Sequence, residues 1–131
     1  MRIHKDLIVW QKPIELAVRI CKMTATFPKQ ETYGLGQQTR RASVSVASNI
    51  SEGAARGGAT DFKRFLQMAA GSVSESDTRL EFADAIEIGE PELGQDARGR
   101  LYEVASLLGG LIRSQNRKNR YGQSSPGSIR S

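Results

Sequence analysis

From Leu35 to Gly53 the chain reads Leu-Gly-Gln-Gln-Thr-Arg-Arg-Ala-Ser-Val-Ser-Val-Ala-Ser-Asn-Ile-Ser-Glu-Gly, a run with no proline and few bulky side chains. Leu35, Thr39, Ala42, Val46, Ile50 and Ala54 recur at steps of three or four, the spacing of one apolar stripe along an α-helix. Gln38, Arg41, Ser45, Asn49, Glu52 and Arg56 recur at the same steps one position out of phase, so a polar stripe runs about 100° around the same helix. A helix with two ordered faces and little bulk between them lets neighbours approach from more than one side. The spacing therefore predicts a second helix over 35–56, central to the fold.

Three further helices follow from the same periodicity. Asp6 is a possible cap, but Pro13 lacks a backbone donor and argues for a start nearer Trp10. Trp10, Ile14, Ala17, Val18, Cys21 and Ala25 then form a stripe over 10–26, ended by Phe27-Pro28. A polar connection spans Lys29 to Gly34. Gly53, Gly57 and Gly58 supply the turn after helix two, and Thr60 is the expected N-cap of helix three with Asp61 at the positive end of its dipole. Phe62, Phe65, Leu66, Ala69, Val73, Leu80 and Ala83 keep helical phase over 60–88, broken at Ser76 and closed by Gly89 and Pro91. Leu93, Ala97, Leu101, Val104, Leu108, Leu111 and Ile112 repeat over 92–115 with near-heptad spacing. No alternation of β-branched residues persists, so no strand is predicted. The expectation is an all-α, antiparallel up-down-up-down four-helix bundle over 6–115.

From Asn116 onward only Tyr121 and Ile129 are apolar, and residues 116–131 are expected to form a disordered basic tail. The formal charge of +5 is unevenly laid out. Residues 1–64 carry +6, residues 65–112 carry −6, and Arg113, Arg117, Lys118, Arg120 and Arg130 account for the surplus. Opposite halves of this kind suit contact within one subunit or between copies, or are two solvated faces.

The chemistry on offer is narrow. His4, the one histidine, precedes the first helix beside Lys5, where a solvated position fits better than a catalytic one. Cys21 excludes an internal disulfide and is in phase with a buried stripe. Gly53, Gly57 and Gly58 follow no strand and match no phosphate-binding loop. Glu75, Asp77, Glu81 and Asp84 lack the histidine partner of a bundle di-metal site, so a solvated or subunit-facing acidic surface is expected, with no metal and no cofactor. No apolar run reaches the ~18 residues of a membrane span and no apolar signal segment is visible, so a cytoplasmic protein without a membrane partner is expected.

Arg40, Arg41, Arg56, Lys63 and Arg64 cluster around helix two and the turn after it, with Lys12, Arg19 and Lys22 on helix one. Joined to Arg113, Arg117, Lys118 and Arg120, they form a candidate phosphate-contacting surface for RNA or DNA, read through backbone charge. The competing reading places Arg41 with Gln38, Ser45, Asn49, Glu52 and Glu75 in a polar network or subunit interface.

These residues resemble a known family, the bacterial four-helix-bundle proteins encoded by intervening sequences within 23S rRNA genes. Asp6-Leu7-Ile8-Val9-Trp10-Gln11-Lys12, Phe27-Pro28, Glu31, Tyr33-Gly34-Leu35, Gln38, Arg40-Arg41-Ala42, Ser45, Asn49-Ile50-Ser51-Glu52-Gly53, Phe65-Leu66, Gly71-Ser72 and Glu75 carry the likeness over roughly residues 6 to 112. Ala47 replaces a customary proline, which should leave helix two straighter. Ser76 replaces a customary leucine, removing apolar area worth about 1.5–3 kcal/mol if the site is buried. The resemblance implies a left-handed up-down-up-down bundle that assembles into a ring, typically a homopentamer, with no known catalytic activity. It is more distantly similar to the accessory variability determinant of retroelements, a basic pentameric barrel that binds nucleic acid. Three readings follow: a non-enzymatic oligomeric bundle that binds RNA or another nucleic acid; a homo-oligomeric interaction scaffold with no nucleic-acid role; and, least supported, a small hydrolase using His4 or the helix-three carboxylates.

Overall fold

The computed structural model describes residues 8–123, with side chains described over 10–117. Four helices make up the fold: α1 (Ile8–Thr24), α2 (Gln37–Arg56), α3 (Ala59–Ala85) and α4 (Pro91–Gln123). Among the described residues there is no strand. Each helix packs on the two beside it, α1 and α3 on both α2 and α4; the α2–α3 contact is the most extensive, so α2 is the most heavily packed corner of the bundle, though no helix runs through its middle. Positions 12, 15 and 19 of α1 meet 103, 100 and 96 of α4, and Gln38 and Ser45 of α2 meet Arg79 and Ser72 of α3, so these neighbours run in opposite directions.

The core is the sum of one stripe per helix. Val46 and Ile50 of α2, Leu66 and Leu80 of α3, and Leu101, Val104 and Leu108 of α4 are almost fully buried, as the periodicity predicts. Helix α1 differs. Its buried stripe is Leu16, Ile20 and Met23, continued by Phe27 just past the helix; of the predicted stripe Ala17 is buried and Trp10 packs against the core, whereas Ile14, Val18 and Cys21, and Ala25 just past the helix, face outward, with Val18 47% exposed. The helix carries two apolar stripes, and the bulkier one takes the core because it removes more area from water. Pro13 lies inside α1, fully buried, so its packing offsets the one backbone hydrogen bond it cannot donate.

The connections are tight. Lys29–Glu31 forms a 3₁₀ turn and Thr32–Gly36 a π turn that buries Leu35, so what reads as a polar loop is wound backbone, and α2 starts at Gln37. Thr24 Oγ1 donates to the Ile20 carbonyl and accepts from Arg40 Nη1 at 3.0 Å, and Arg40 Nη2 reaches the Thr32 carbonyl. α2 ends at Arg56 because Gly57 takes the left-handed conformation, φ +84°. Gly58, extended, precedes the first residue of α3, and no side chain caps that helix; Thr60 lies within it rather than at its cap. Between α3 and α4, Gly89 (φ +87°) sits where a Cβ would come within 2.8 Å of the Phe27 ring, and Pro91 opens α4 where its missing donor costs nothing.

Ser76 is wholly buried and its hydroxyl donates to the Ser72 carbonyl, so the apolar contact a leucine would make is indeed missing from the core. α4 runs to Gln123, eight residues past its expected end. Nothing between Arg113 and Tyr121 breaks a helix, and each further residue adds one hydrogen bond for one residue ordered. Residues 124–131 of the expected tail, together with His4 and Asp6, lie outside the described residues.

Candidate nucleic-acid interface

The opposite directions of the helices bring the α2–α3 turn, the start of α1 and the C-terminal turns of α4 to one end of the bundle. At that end Arg56 and Arg64 both lie over the ring of Phe65, with guanidinium carbons 5.1 and 4.5 Å from its centroid. Arg56 also pairs with Glu52 at 3.1 Å and Arg64 with Asp61 at 3.6 Å. Aromatic contact pre-orders the two guanidinium groups while roughly half of each side chain stays in water. Lys63 is half-buried between them in sequence, and Arg113 and Arg117 are exposed on α4 at the same end. Lys118 and Arg120 belong to α4, but their side chains lie outside those described.

The other candidate cations are held elsewhere. Lys12 lies 3.8 Å from both Glu15 and Glu103. Arg40 braces the π turn as described. Arg41 is exposed in a groove between α1 and α2 that Cys21, Val44 and Ser48 also line.

The polar stripe of α2 divides into separate groups. Ser45 Oγ accepts from Asn49 Nδ2 at 3.1 Å and from Ser72 Oγ at 2.9 Å, a small network between α2 and α3. Gln38 and Glu75 are joined through Arg79, which donates to Gln38 Oε1 at 2.7 Å and to Glu75 Oε2 at 2.9 Å. Arg41 joins neither group. Arg79 escaped the sequence reading, although its place four residues after Glu75 is a pairing signal.

Much of the charge division is resolved inside the subunit. Lys12–Glu103 and Arg19–Asp96 join the basic first half to the acidic second half, and Arg98 reaches Glu81 and Asp84 within the latter. Among the described residues no group of three or more histidine, cysteine or carboxylate side chains is placed to hold a metal ion. Among the described residues no helix is long and apolar enough to cross a membrane.

Helices stacked in this order, with a polar end built from arginines, define a four-helix-bundle protein. Residues 5–110 match the 23S rRNA-intervening sequence protein family, and the chain belongs to it. Among solved structures it is similar to a protein of unknown function from the S23 ribosomal protein family of Bacteroides thetaiotaomicron, at 25% identity and a TM-score of 0.73. That likeness covers 80% of this chain and 98% of the other. No curated protein matches the chain.

Proposed function

We propose that this protein is a non-enzymatic, homo-oligomeric bundle that binds RNA or another nucleic acid through its basic end. The observation that carries the reading is the pair of guanidinium groups ordered over Phe65 beside Lys63, at the end where α4 presents Arg113 and Arg117. Such a surface contacts phosphates with little readout of base sequence. A gel-shift with structured and single-stranded RNA at several salt concentrations tests it. Binding that weakens steeply with salt is the expected result, and no shift at low salt would overturn it.

The basic C-terminal segment adds affinity in this reading. Removing residues 117–131 is expected to weaken RNA binding while leaving oligomer mass unchanged and helicity reduced only by the turns removed. A truncated protein that dissociates would make the segment a structural arm.

The scaffold reading draws on a different face. Ile14, Val18 and Cys21 of α1 and Val44 of α2 leave an exposed apolar strip beside Arg41, and such strips mark contact surfaces. Self-association through it predicts that Val44→Asp reduces the mass in sedimentation without lowering the melting temperature, since Val44 is half-exposed within the subunit. Arg41→Glu with unchanged mass would place Arg41 outside the contact. A wild-type monomer at micromolar concentration would overturn the oligomer altogether.

A further inference from the structure

The basic end holds a cavity as well as basic side chains. It measures about 340 Å³, within the range of small-ligand sites, roughly 300–1,000 Å³. Gly53 and Ala54 of α2, the turn at Gly57 and Gly58, Ala59 and Phe62 of α3, and Gln115 of α4 line it.

Two independent features meet there. α3, a helix of 27 residues, begins at this cavity with no side-chain cap; the Phe62 N–H donates to the Gly58 carbonyl, but those of Ala59, Thr60 and Asp61 have no acceptor in the helix, and the positive end of its dipole is open. Gln115 is only 8% exposed, and its carboxamide has no hydrogen-bond partner among the described residues. Buried carboxamides are ordinarily paired, so one left unpaired against a cavity points to a partner that arrives from outside. The carboxamide can turn its N–H₂ toward a ligand, with its oxygen as the opposite face, and beside helix N-terminal N–H groups, which only donate, that orientation suits an acceptor-rich ligand. Asp61, the one acid in the first turn, is engaged by Arg64.

We propose that this cavity is a phosphate-binding subsite, in which the N–H groups at the start of α3 and the Gln115 carboxamide hold phosphate oxygens; Arg56 and Arg64 lie outside its lining, over Phe65, and add only the positive potential of that end of the bundle. The inference rests on the nucleic-acid reading in one respect, that the phosphate belongs to a strand. Free inorganic phosphate has the same chemistry and serves as the second probe.

The experiment follows backbone amide resonances of the full chain on titration with inorganic phosphate and, separately, with a single-stranded oligouridylate. Both are expected to shift Ala59 and Thr60. Gly58→Asp places a carboxylate on the same N–H groups, and a Cβ at Gly58 meets nothing within 4 Å. This variant is expected to melt higher than wild type, through its new cap, yet to bind phosphate at least about tenfold more weakly. Gln115→Leu, which removes the unpaired amide, is expected to melt no lower and to lose about tenfold in phosphate affinity. A purely structural glutamine would not separate stability from binding in this way. Unmoved Ala59 and Thr60 amides, or variants that bind phosphate as wild type does, would overturn the subsite, even if the oligouridylate binds elsewhere and the nucleic-acid reading survives. Phosphate shifts without oligouridylate binding would uphold the subsite and refute its attachment to a strand.

Discussion

Gly53→Leu is expected to destabilise the bundle by about 3 kcal/mol and lower its melting temperature by about 10 °C. α2 and α3 approach so closely at this point that even a Cβ on Gly53 would lie 2.8 Å from Phe65 Cβ and 3.2 Å from Phe62 Cδ1. Neither contact is with the free end of a flexible chain, so the strain must pass into the helix axes or the aromatic rotamers. Gly71 of α3 is the control: a Cβ there meets nothing within 4 Å, and Gly71→Ala should stabilise by about 0.5–1 kcal/mol through helix propensity. Thermal melts followed by circular dichroism decide both. A Gly53→Leu protein that melts with wild type would mean that the two helices do not pack at this distance.

The double reversal Arg56→Glu/Arg64→Glu is expected to lower affinity for single-stranded RNA by about a hundredfold at moderate salt, since two charge-assisted contacts are lost and repulsion replaces them. The slope of log affinity against log salt should fall by roughly 1.4, from about 0.7 per phosphate contact. Both side chains are about half exposed, and surface ion pairs of this kind contribute at most about 1 kcal/mol, so the fold should persist. Unchanged RNA affinity in a folded double variant would remove the α2–α3 turn from the interface.

What the residues reveal unaided depends on whether a helix offers one apolar stripe or two. α3 and α4 offer one, interrupted only at Ser76, and Leu66, Leu80, Leu101 and Leu108 are buried as the spacing requires. α1 offers two, Ile14-Val18-Cys21 and Leu16-Ile20-Met23, and periodicity alone does not choose between them. The bulkier stripe is the one that α2 and α4 cover, because it removes more area from water. α4 outlasts its apolar repeat because helix continuation needs only the absence of breakers, whereas the charged composition after Asn116 reads as tail. At the basic end, Arg56, Lys63 and Arg64 declare themselves as neighbours in sequence. Gln115 does not, because its burial depends on α4 passing the turn between two other helices. Arg79 is hidden for a related reason, since its partner Gln38 lies 41 positions away.

The order of packing around the bundle also bears on how the chain folds. α2 and α3 are joined by two glycines and can zip from that hinge outward, closing only a short loop. α1 and α4 have no such help: Glu15 and Arg100, hydrogen-bonded at 3.1 Å, are 85 positions apart. The α2–α3 hairpin is therefore the expected nucleus, and α1 docking on α4 the late step. Disruption at Ser45–Ser72 should slow refolding in stopped-flow traces, whereas disruption at Glu15–Arg100 should chiefly speed unfolding. During synthesis Leu16, Ile20 and Met23 must remain uncovered until α4 has emerged, which makes α1 the segment most in need of shelter on the ribosome.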